Sequence, residues 1–117
     1  MYRDHRLYLD DILEAIKRIR SYVQDMSEDE FAVDLKTQDS VIRNLEVIGE
    51  AAKNLPKAIT CEAEGVEWRK IAGLRNILAH EYFGVSLPII WDIVQNKLEP
   101  LEQACQYLIT LPNLAEP

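Results

Sequence analysis

A chain of 117 residues that sets 13 Lys and Arg against 20 Asp and Glu has a formal net charge of −7, and 48% of it is hydrophobic. That length supports one hydrophobic core, so a single domain over residues 1–117 is expected, and the ordinary balance of apolar and charged residues excludes a disordered or fibrous chain. The acidic excess excludes a broad, sequence-independent nucleic-acid surface, which would need many Lys and Arg to neutralise phosphates; any nucleic acid must be held at a small basic site.

No run approaches the roughly 18 apolar residues that span a bilayer, and the start, Met1-Tyr2-Arg3-Asp4-His5, leads into mixed charge rather than an apolar signal core. A cytoplasmic protein without membrane contact is expected. Cys61 and Cys105 read as free thiols, Cys105 in the core and Cys61 in a loop. No Cys-x-x-Cys, His-x-x-x-His or Glu-x-x-His cluster supplies ligands for a metal, so the expectation is chemistry with no metal and no cofactor.

From Arg3 to about Met26, Leu9, Ile12, Leu13, Ile16, Ile19 and Val23 recur at spacings of three and four, which predicts a long amphipathic helix. Ser27-Glu28-Asp29-Glu30 has the form of a capping box, so a short second helix should carry Phe31 and Val33 inward. A third helix is expected from Thr37 or Asp39 to Leu55, ending before Pro56; Gly49, Ala51 and Ala52 are small enough to let another helix come close. Residues 56–66 lack a sustained period and read as a loop.

The fourth helix, about Glu67 to Tyr82, has the apolar stripe Trp68, Ile71, Ala72, Leu78 and Ala79, and helical spacing puts Arg75 and Tyr82 on it. Arg69, Gly73, Asn76 and His80 form a second stripe, with Gly73 leaving room beside it. The fifth helix should open at Ser86 with Pro88 in its first turn and run to about Thr110, kinked by Pro100. No strand pattern competes, which predicts an all-α, up-and-down bundle of four to five helices.

Within the fourth helix, Arg75-Asn76-Ile77-Leu78-Ala79-His80-Glu81-Tyr82 collects a permanent cation, an amide, an imidazole and a phenol. Arg offers a fixed fork of donors to phosphate or carboxylate oxygens, and His both takes and gives a proton near neutral pH. Together they point to acid/base work on an anionic substrate. Taken singly, Arg75 reads as a side chain reaching out to an acid, Asn76 as polar surface, His80 as a hydrogen-bonded side chain and Tyr82 as a core aromatic. Only their joint occurrence carries the functional reading.

This octad resembles the Arg-x4-His-x-Tyr signature of the HEPN-domain ribonucleases, specifically the HepT-like toxins paired with a minimal nucleotidyltransferase antitoxin. Arg43-Asn44-Leu45-Glu46-Val47-Ile48-Gly49-Glu50-Ala51-Ala52-Lys53 and Trp68-Arg69-Lys70-Ile71-Ala72-Gly73-Leu74 are similar to the same family, so the likeness spans nearly the whole chain. The resemblance implies a HEPN-like helical domain acting as a metal-independent endoribonuclease on RNA. It also implies a homodimer with two motifs lining one cleft, and AMPylation of Tyr82 by the antitoxin as the means of silencing.

Physically, RNA is cut without a metal when its own 2′-hydroxyl attacks the adjacent phosphorus, with His80 as acid or base and Arg75 holding the phosphate. Asn76 would support the imidazole or the phosphate. Positions five apart on a helix point about 140° away from each other, so Arg75 and His80 of one chain do not converge unless the helix loosens or a second copy completes the site. The competing reading is a non-catalytic accessory subunit of a nucleotidyltransferase that uses Arg75 and His80 for binding alone.

Overall fold

Helix α1 (His5–Val23) starts where the Asp4 carboxylate accepts the Arg6 backbone N–H at 2.9 Å, and it buries Leu9, Ile12, Ala15, Ile16, Ile19 and Val23 along one stripe. In the computed structural model, which describes residues 4–80 and 86–112 and only the backbone of Ile77, Ala79 and His80, this helix is shorter than the expected Arg3–Met26. Gln24 leaves helical geometry, and Asp25 turns the chain at φ 59°, in the left-handed region that Asp tolerates.

Helix α2 (Glu28–Ala32) is held by the expected capping box: Ser27 Oγ accepts from the Glu30 N–H while the Glu30 carboxylate accepts from the Ser27 N–H. Phe31 is fully buried, but Val33, expected to point inward, is 82% exposed. The helix ends at Ala32, so Val33 is its C-cap and no longer follows the buried face.

Helix α3 (Leu35–Lys53) begins ahead of the expected Thr37 or Asp39, because Asp34 caps it by accepting from both the N–H and the hydroxyl of Thr37. Buried Gln38 donates through Nε2 to the Phe31 carbonyl at 2.9 Å, tying α3 to α2. The segment read as a loop contains one turn, α4 (Lys57–Thr60), with Ile59 as its buried anchor; a single turn is too short to show a period.

Helix α5 (Trp68–His80) follows. The final helical run is two helices rather than one kinked helix: α6 (Leu87–Asn96) and α7 (Leu98–Ile109), parted at Lys97. Pro100 accounts for the break, since it has no N–H to offer the Asn96 carbonyl four residues back and its ring crowds that carbonyl. It lies in the first turn of α7, where it is tolerated.

Helices α1 and α3 pack side by side, α5 lies against the other flank of α3, and α7 against α1, giving the order α7–α1–α3–α5. Arg20 of α1 and Glu102 of α7 form an ion pair at 2.8 Å. Trp91 of α6 sits against Phe31 of α2 with ring centroids 5.3 Å apart. The buried side chains, from Leu9 to Leu108, form one cluster. The class is all-α as expected; seven helical segments appear among the described residues instead of four to five, because the single turn of α4 is too short to leave a period in the sequence and the last run divides at Lys97 into α6 and α7.

Candidate active site

The site is positioned by Gly49. A Cβ built there would stand 2.8 Å from the Arg75 backbone nitrogen and 3.1 Å from the Ile71 carbonyl oxygen, so only glycine lets α5 lie this close to α3. The small-residue level read from the sequence is therefore where the two helices meet. Arg75 occupies the apolar stripe as its spacing required: its Cβ lies 3.2 Å from where a Cβ on Gly49 would stand, while its side chain is exposed toward the guanidinium end.

There Arg75 Nε meets a Glu50 carboxylate oxygen at 3.4 Å, with the two side chains 46% and 53% exposed. An exposed pair of this kind contributes little to stability. Its consequence is positional, since the guanidinium is steered by α3 yet stays open to solvent. Charge-assisted, two-pronged hydrogen bonds to a phosphate are stronger than this single long contact, so an incoming phosphate can compete for Arg75. Sequence reasoning does not single out Glu50; the signal that it faces α5 is its neighbour Gly49, whose small size marks where the two helices approach.

Asn76 is exposed beside Arg75. His80 is the last residue of α5, and its side chain lies outside the described residues, as does Tyr82 altogether. The structure thus places Arg75 and Asn76 on the outer surface of α5. Their geometry relative to His80 and Tyr82 falls outside the description. At the other end of α5, Trp68 donates through Nε1 to the Ala63 carbonyl at 2.9 Å and anchors the first turn. No group of three or more His, Cys, Asp or Glu side chains among the described residues is arranged to hold a metal ion. None of the described helices is long and apolar enough to cross a membrane.

A second feature lies beside the first turns of α5. Here α5 and the α6–α7 junction enclose a groove of about 550 Å3, bordered among the described residues by Arg69, Lys70 and Lys97 and by one carboxylate, Glu67. Lys70 and Glu67 pair at 2.8 Å. The hydrogen bond from Lys70, and after it the positive charges of Lys70 and Lys97, hold the Glu67 carboxyl below the usual carboxylate range, and the same pairing raises Lys70.

The family model described as "Ribonuclease HepT-like" matches residues 12–108. This chain belongs to the HepT-like family. Among its relatives, a Methanocaldococcus jannaschii protein named as a putative RNase is 52% identical over 96 residues, covering 82% of this chain and 79% of its own. The probable ribonuclease HepT of Thermococcus cleftensis is 40% identical over 87% of this chain and 93% of its own. The mRNA nuclease HepT of Shewanella oneidensis is 31% identical over 79% of this chain and 86% of its own. No solved structure gives a significant match. The matched span takes in α3 and α5, so the HepT-like assignment covers both helices that hold Arg75 in place.

Proposed function

We propose that this chain is an endoribonuclease toxin that cuts RNA by attack of the substrate's own 2′-hydroxyl, without a metal. The observation that carries the reading is Arg75: its backbone is locked against Gly49 and its guanidinium is left open, in a chain of the HepT-like family. Arg75 binds the scissile phosphate and stabilises the charge that builds on its non-bridging oxygens. One imidazole takes the 2′-hydroxyl proton as the new P–O bond forms, and a protonated imidazole gives a proton to the departing 5′-oxygen. The products are a 2′,3′-cyclic phosphate and a free 5′-hydroxyl. Asn76 orients the imidazole or donates to the same phosphate.

The two proton transfers are best served by two His80 side chains, one from each copy of a homodimer whose α5 helices face each other across a two-fold axis. This also overcomes the divergence of Arg75 and His80 on one helix. Silencing follows from a minimal nucleotidyltransferase antitoxin that transfers AMP to the Tyr82 hydroxyl; the added phosphate anion then competes for Arg75 and its bulk blocks the cleft. The protein acts in the cytoplasm.

Expression of the wild type beside His80→Ala and Arg75→Ala tests this, scored by growth arrest and by cyclic-phosphate ends on cellular RNA. Loss of His80 should slow cleavage on the order of a hundred- to ten-thousand-fold. Equal RNA breakage by wild type and His80→Ala would leave the non-catalytic accessory subunit as the better reading. Incubation with the nucleotidyltransferase and ATP should add AMP to the wild type but not to Tyr82→Phe.

A further inference from the structure

The groove beside α5 takes no part in the cleavage step, yet it joins two properties that belong together only for one kind of ligand. Its floor is apolar, built from Ile71, Leu74, Ile93 and Leu101. Its rim is basic: among the described residues that line it, Arg69, Lys70 and Lys97 stand against Glu67 alone, in a chain whose net charge is −7. With Glu67 already compensated by its lysines, the mouth of the groove presents positive charge. A volume of about 550 Å3 is within the range of sites that enclose small organic ligands. Gly73 lines it, and a Cβ added there would meet nothing within 4 Å, so the space beside the helix is open.

A flat, largely apolar base attached to an anionic phosphate matches both properties: the base lies on the aliphatic floor, an Arg guanidinium plane stacks on it, and the ammonium groups take the phosphate. Position supports the same ligand. Gly73 of the groove and His80 at the end of α5 lie seven residues apart, about 10 Å along the helix axis, close enough for one strand to touch both places.

We propose that this groove is a nucleotide subsite, taking the base and phosphate of a single-stranded RNA residue that flanks the scissile step. The proposal rests on the ribonuclease reading of α5 and names where its substrate is held. It also gives an acidic protein a local place to hold RNA, since three cations are gathered at one slot.

The test uses short single-stranded RNA methylated at every 2′-oxygen, which cannot be cut, with one 4-thiouridine for photocrosslinking to the full-length chain. Crosslinks should map to peptides spanning residues 65–74 or 93–101. Gly73→Leu, which fills the open space, and the charge reversals Arg69→Glu and Lys97→Glu at exposed positions should each weaken RNA binding at least tenfold, with helicity and melting temperature close to wild type. Unchanged affinity in all three variants, or crosslinks confined to other faces, overturns the proposal. Loss of self-association in sedimentation with RNA binding intact would overturn it too, by making the groove a contact between copies. Cleavage of unmethylated RNA by wild type and His80→Ala is measured alongside. If the wild type cuts while the groove variants bind normally, the subsite alone fails. If it does not cut but the variants still lose RNA, the ribonuclease reading fails and the subsite stands; if it binds no RNA, both fail.

Discussion

Two glycines of the same bundle should respond in opposite directions to the same added methyl group. At Gly49 the new Cβ would meet backbone atoms of α5 that have no freedom to give way, with the Arg75 nitrogen at 2.8 Å. Gly49→Ala is therefore expected to lower stability by about 1–3 kcal/mol in urea denaturation despite alanine's better helix propensity, and to reduce RNA cleavage by shifting Arg75. Gly73→Ala meets open space and should raise stability by up to about 1 kcal/mol in the same measurement. Cysteine chemistry divides as sharply. Burial, and after it the neighbouring Glu102 charge, push the Cys105 thiol up to about 12, whereas Cys61 is exposed. A thiol reagent at pH 8 should modify one cysteine in the native protein and two in denaturant.

Helix ends carry the next set of consequences, because short helices rest on their caps. Ser27→Ala removes the hydroxyl half of the α2 capping box and should lower stability by about 1 kcal/mol. Asp34 caps α3 as a carboxylate, and the hydrogen bonds from the Thr37 N–H and hydroxyl hold its carboxyl below its usual 3.8. A group whose folded value is depressed stabilises the fold above its unfolded value and loses that contribution as pH falls through the folded one. The melting-temperature gap between wild type and Asp34→Ala should be full at pH 6 and shrink below about pH 3.8. A gap that stayed constant to pH 2 would show that the charge contributes nothing. The α6–α7 break gives Lys97 its place: it sits at the junction that Pro100 forces, on the border of the groove.

Across the whole molecule, an excess of acid with a few gathered cations makes a definite statement about salt. RNA binding through Arg75 and the three cations of the groove should show a slope of about −2 to −3 in log affinity against log salt, since each phosphate neutralised on a single strand contributes roughly −0.7. A much steeper slope would mean a broad basic surface that the net charge of −7 argues against. Assembly is the other property at this scale. Sedimentation should find a dimer, and mixing inactive His80→Ala with inactive Arg75→Ala should restore part of the cleavage if each copy supplies one group to a shared cleft. No restoration in mixed dimers would return both groups to a single chain.

Much of this was written in the order of residues. The period of three and four in α1 and α3, the Ser27 capping box and the Arg75 position on an apolar stripe all follow from local spacing, which a helix converts directly into a face. Where local spacing is silent or ambiguous, the structure departs from it: Val33 turns outward because α2 stops one residue before it, α4 is a single turn, and Pro100 divides a run instead of bending it. The sequence named Arg75 and Asn76 as candidates, but it did not say that Glu50 would meet the guanidinium or that Arg69, Lys70 and Lys97 would share one groove. Those partners lie on different helices, and their distance depends on how closely α5 settles against α3 at Gly49 and where the chain breaks at Lys97. Periodicity sets which way a side chain points along its own helix; only packing between helices sets what it finds there.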